Sequence, residues 1–148
     1  MDNGHVISVL NGLIETTLDS VKGFAEASED AEGSFTRMFS EMAQERRGVA
    51  TRLQSLVAGL GGDPEEHSSL GAAAHRGFMN LKEAVMGSSD RAVVEEVERG
   101  EDYIKAKYEA ALEDTKLSAE TRQAVQEAMQ SVRKGHDKAS ALKHSIAL

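Results

Sequence analysis

Two residues in this chain sit where chemistry would be needed to keep them. Glu101 and His136 fall on helical stripes otherwise filled by Val, Leu, Ile, Met, Phe and Ala. Stepping about 100° per residue along a helix puts each of them close to the middle of its own stripe. Arg46 falls inside the stripe set by Met42, Val49 and Leu53, with Glu45 on its flank. On the first helix Thr17 faces inward, whereas Glu15 points well away from the centre. A helical interior does not accept carboxylates and imidazoles without a partner or a metal, because unpaired burial costs roughly several kcal/mol or forces the group to neutralise. Two arrangements meet that demand. One is a buried hydrogen-bonded Glu101–His136 pair, with Arg46 completing a charge-neutral network. The other is a metal centre for iron, manganese or zinc, with Glu45, Glu101 and His136 as ligands and Glu15 and His75 as weaker candidates.

The spacing limits the second arrangement. A di-metal carboxylate site in a helical bundle takes a Glu from each of two helices and a Glu-x-x-His from each of the other two, since residues three apart present both ligands to one interior point. No Glu-x-x-His occurs here. The corresponding stretches read Arg133-Lys134-Gly135-His136 and Glu45-Arg46-Arg47-Gly48. Only a reduced mono- or di-metal site is compatible with them. An Arg46 guanidinium aimed at such a site would count against a divalent cation, because like charges would share one low-dielectric space. His75-Arg76-Gly77-Phe78 is a further polar cluster near an apolar face, suited to docking a connecting helix or to covering a pocket.

These side chains need helices to hold them. Val6, Leu10, Leu13, Thr17, Val21 and Phe24 recur at three- and four-residue steps, the signature of one helix face, and Asp2 or Asn3 can cap it. A polar turn over 28–34 leads to a second stripe: Phe35, Met38, Phe39, Met42, Val49, Leu53, Leu56, Val57 and Leu60. Gly61-Gly62-Asp63-Pro64 is a firm stop. A shorter apolar face follows on Leu70, Ala74, Phe78, Leu81 and Val85. Val93, Val97, Glu101, Ile104, Tyr108 and Ala111 mark a third long helix. Val125, Ala128, Met129, Val132, His136 and Ala139 mark a fourth, capped by Ser118. Short turns make antiparallel hairpins of the first and last helix pairs. One long crossover with its own short helix joins them, which is ferritin-like connectivity.

The totals agree with a single all-α domain over 1–148. The chain of 148 residues has one Pro, abundant helix formers and no Cys. Disulfides and thiolate chemistry are excluded. A net charge of −8 disfavours nucleic acid and anionic membranes, and no apolar run approaches a bilayer span. The stretch Met1-Asp2-Asn3-Gly4-His5 lacks a basic n-region, and a cytoplasmic location is the expectation. Neither a phosphate-binding glycine loop nor a nucleophile elbow is present.

Six stretches, in order, carry a family resemblance. They are Leu10-Asn11-Gly12-Leu13-Ile14-Glu15-Thr16, Ala43-Gln44-Glu45-Arg46, Leu60-Gly61-Gly62-Asp63-Pro64-Glu65, His75-Arg76-Gly77-Phe78, Glu98-Arg99-Gly100-Glu101-Asp102 and His136-Asp137. Together they resemble a bacterial four-helix-bundle family, classed as ferritin-like, that carries a domain-of-unknown-function label. The resemblance implies a ferritin-like fold, no established activity, and a link to bacterial stress responses. Its motifs include Glu15, Glu45, Glu101 and His136, which strengthens the metal reading, and Phe78 stands where the family pattern often has Trp. The expectation is a non-catalytic, stress-associated bundle with a buried Glu/His/Arg network. The alternative is a metal-binding oxidase or storage protein, and a homo-oligomer is compatible with either.

Overall fold

The computed structural model describes residues 3–30, 34–66 and 90–146. Four helices account for nearly all of them: α1 (Gly4–Asp30), α2 (Ser34–Gly59), α3 (Asp90–Leu112) and α4 (Ala119–Ile146). No strand occurs among the described residues, and no helix among them is long and apolar enough to cross a membrane. The expected short helix between Leu70 and Val85, with His75 and Phe78, lies outside the described residues.

The helices form because their apolar residues repeat at helical spacing, and they pair because those stripes must be covered. α1 packs on α2 and α3 on α4, while weaker contacts join α1 to α3 and α2 to α4. α2 and α3 are therefore diagonal across a four-helix bundle. Leu10, Leu13, Phe24, Phe39, Met42, Val49, Leu53, Val57, Val93, Val97, Ile104, Tyr108, Val125, Met129 and Val132 fill the interior. Phe24 stacks on Phe39, and Phe39 on Phe35, at 5.9 and 5.8 Å between centroids.

Bonds at one end of the bundle fix the helix directions. The His5 ring at the start of α1 meets Asp114 Oδ2, just past α3, at 2.6 Å. Asn11 near the same end donates to the Asp63 carbonyl at 3.1 Å and accepts from the Glu65 amide at 2.9 Å. α1 thus begins where α2 and α3 end. α2 and α3 run parallel, and the chain between them starts and finishes at opposite ends of the bundle. Every neighbouring pair in the ring is antiparallel, which sets the helix dipoles favourably.

The ends of the helices follow from local chemistry. Gly61 adopts a left-handed φ of 84°. Its amide donates to the Ala58 carbonyl, and the Gly62 amide donates to the Val57 carbonyl, both at 3.0 Å. That is a Schellman cap, which needs glycine at the left-handed position. Gly62 also lies against Ile7, whose side-chain carbons would be 2.8 to 3.0 Å from an added Cβ. Arg122 donates to the Leu112 and Asp114 carbonyls and so caps α3 from the next helix. The Thr121 amide donates to Ser118 Oγ at 3.1 Å, an N-cap for α4.

Candidate functional site

The centre of the bundle holds a charged pair. Arg46, from the middle of α2, donates through Nη2 to Glu101 Oε2 on α3. Both side chains are almost wholly removed from solvent, at 2% and 0% exposure. Because α2 and α3 are diagonal, the bond crosses the core rather than bridging neighbouring surfaces. The Arg46 Cζ lies 5.9 Å from the centroid of the Phe24 ring on α1. Met42 and Gly135 close the site from α2 and α4.

The electrostatics of Glu101 show a conflict. Burial pushes its carboxyl above the ordinary range. Arg46 pulls the other way by charge and hydrogen bond, His136 adds a smaller pull, and Asp102 a smaller push upward. The bond to a guanidinium calls for a carboxylate, so the ionised form persists at a cost in desolvation. The bond is also incomplete. Glu101 Oε1 and Arg46 Nη1 are buried with no hydrogen-bond partner among the described residues, so the pair lacks the two-pronged geometry that makes Arg–carboxylate contacts strong.

The structure separates the other sequence candidates. His136 does not bond to Glu101; its Nε2 meets Asp102 Oδ1 at 2.6 Å on the rim between α3 and α4. The ring keeps 22% of its surface, while Asp102 is 60% exposed. The ring stands at the edge of the interior rather than within it, and the residue after Glu101 on α3 offers it an exposed carboxylate. Glu45 is half-buried and accepts from Ser131 Oγ at 2.9 Å. It lines an open cleft with Lys134, Asp137, Lys138 and Ala141. Glu15 is half-buried on α1, and His75 lies outside the described residues. Glu45, Glu101 and His136 thus each take a different partner, and among the described residues no three His, Cys, Asp or Glu side chains are grouped to hold a metal. Those that are described do not fit a metal centre: Glu101, the most deeply buried of these carboxylates, is already neutralised by a cation.

Sequence reasoning passes over two features of this region. Gly135 is one; a Cβ there would collide with both Arg46 Nη2 and Glu101 Oε2. A glycine inside a helical stripe is a costly choice unless something approaches its backbone, which is the signal that could have found it. The other is the Thr17–Tyr108 bond, 2.7 Å between two fully buried hydroxyls of α1 and α3. Thr17 also bonds to the Leu13 carbonyl at 2.7 Å and has one proton to give. Tyr108 is therefore the donor to Thr17. Burial pushes the Tyr108 phenol up to about 12, against a smaller lowering from Thr17.

An all-helical bundle closed around an internal ion pair is the class that this fold and site define. The family model described as Domain of unknown function (DUF2383) matches residues 5–114, and the chain belongs to that family. The matched region takes in α1, α2 and α3 with Arg46 and Glu101; α4, with Gly135 and His136, lies beyond it. Comparison with curated proteins finds no significant match.

Proposed function

We propose that the protein is a non-catalytic, cytoplasmic, ferritin-like bundle whose buried Arg46–Glu101 pair specifies how its helices associate. The parallel run of α2 and α3 supports the ferritin-like part, since it requires a connection spanning the bundle. The observation that carries the rest is the guanidinium bonded to Glu101 in the core. A divalent ion at Glu101 would have to share that low-dielectric space with a fixed positive charge. Buried ion pairs add little net stability, and fixing register is their best-attested use. A bacterial stress-response setting comes from the family resemblance.

The test is metal content. Protein purified without chelator or affinity tag is expected to carry no stoichiometric iron, manganese or zinc. Its melting temperature should not move on adding Fe(II), Mn(II) or Zn(II), because binding to the native state would raise it. Near-stoichiometric metal that is lost in His136→Ala would overturn the proposal and establish a reduced site at Glu45, Glu101 and His136.

A further inference from the structure

We infer that the bundle centre is a binding slot for a planar cation, built by Glu101, Phe24 and Gly135, and that Arg46 fills it from within the chain. The inference rests on the reading of Arg46–Glu101 as architecture and adds what the site recognises. Each helix supplies one part. α3 contributes the negative charge of Glu101. α1 contributes the ring of Phe24, whose centroid lies 5.9 Å from the guanidinium carbon; cations are attracted to aromatic faces at that distance. α4 contributes a missing side chain, since the space a Cβ would take at Gly135 is held by Arg46 Nη2 and Glu101 Oε2. α2 contributes the cation itself.

The shape favours a flat, weakly hydrated ion over a compact one. A guanidinium can lie along a ring and slide close to a helix backbone, whereas an ammonium or a divalent metal holds its water more tightly. The slot also has capacity to spare, because Glu101 Oε1 has no hydrogen-bond partner among the described residues. A cation free of the Arg46 tether could turn to serve both carboxylate oxygens.

Arg46→Ala removes the tethered cation and keeps the walls. Guanidinium chloride at low millimolar concentration should then raise the melting temperature of Arg46→Ala. It should not raise that of the wild type or of Arg46→Ala/Glu101→Gln, and sodium chloride and urea at the same concentration should do neither. Should Arg46→Ala be unfolded in buffer, recovery of its helical circular dichroism on adding guanidinium is the readout. Absence of any gain, or an equal gain without Glu101, would overturn the slot. Gly135→Ala provides a second and independent measurement. Alanine is the better helix former, so Gly135→Ala should raise the melting temperature in an Arg46→Ala/Glu101→Ala background, where neither side chain reaches the space beside Gly135. In the wild type it should lower the melting temperature, by displacing the pair. An effect of the same sign in both backgrounds would also overturn the slot. Metal found in the wild type would instead defeat the architectural reading, so the two failures are distinguishable.

Discussion

Among the described residues, two polar contacts between fully buried side chains cross the interior of this bundle, and both use α3. Tyr108 reaches α1 and bonds Thr17; two turns earlier, Glu101 reaches α2 and bonds Arg46. The first contact is neutral and complete. The phenol gives its proton to Thr17, Thr17 gives its own to Leu13, and neither hydroxyl is left over. A net gain of about 1 kcal/mol is typical of such a bond. The second contact is charged and incomplete, with one donor atom and one acceptor atom lacking a partner among the described residues. Its removal from water costs several kcal/mol per ion, roughly what the attraction returns. The neutral contact stabilises neighbouring helices. The charged one contributes little net energy but penalises every arrangement in which Arg46 and Glu101 fail to meet. Diagonal helices share few direct contacts, so an ion pair across the centre is an effective way to fix their relative heights.

The comparison breaks if Arg46 and Glu101 behave as independent stabilisers. Arg46→Met or Glu101→Leu alone should each cost about 3–5 kcal/mol, because the survivor becomes an unpaired buried charge. Against a typical domain stability of about 5–15 kcal/mol, either change should shift the urea midpoint far toward lower concentration. The double variant Arg46→Met/Glu101→Leu should recover most of the loss, to within about 1 kcal/mol of the wild type or beyond it. Additive losses in urea unfolding would mean that the two residues act through separate contacts.

The neutral contact responds to pH where the charged one is confounded by its partner. Tyr108 holds its proton up to about 12 in the folded state against 10.0 for an ordinary tyrosine. A raised folded value means that its contribution is fully present below pH 10 and is lost as pH rises through 12. The loss across that window is about 3 kcal/mol, at 1.36 kcal/mol per unit. At neutral pH Tyr108→Phe should be less stable than the wild type by about 1 kcal/mol. Above pH 10 the gap should close and then reverse, because the variant has no phenol to ionise. Parallel stability–pH curves for the two proteins would remove the claim. An absorbance titration of Tyr103→Phe should show its single remaining tyrosine ionising late.

The helical stripes were legible because burial follows the 3.6-residue repeat closely. Every apolar position expected on α3 is buried, and so is Glu101 among them. The stop at Gly61-Gly62 was equally plain, since only a left-handed residue completes that cap. Arg46 could be placed inside and grouped with Glu101, but the carboxylate that His136 meets could not be foreseen. Facing angles say which residues point inward and not how far each helix slides along its neighbours. A shift of one residue on α3 decides whether His136 meets Glu101 or Asp102, and the structure selects Asp102. The role of Gly135 was hidden for a related reason: a gap on one helix is defined by side chains from two others. Asn11 likewise reads as an ordinary helix residue until Asp63 and Glu65 are brought beside it.

The smallest effect sharpens the contrast between centre and rim. His136 and Asp102 make a short contact between α3 and α4, yet Asp102 is 60% exposed and water screens the pair. Exposed contacts of this kind, ion pairs when the imidazole is protonated, contribute about 0–1 kcal/mol. His136→Ala should therefore lose no more than about 1 kcal/mol, against the several expected for Glu101→Leu one residue away from Asp102 in the chain. Raising the salt concentration should shrink the His136→Ala effect further while leaving the Glu101→Leu effect nearly unchanged, because the buried pair is shielded from the ionic atmosphere. Urea unfolding of both variants at low and high salt measures this directly. A large, salt-insensitive loss for His136→Ala would place the imidazole inside the core network with Arg46 and Glu101, and the division between an organising centre and a solvated rim would fall.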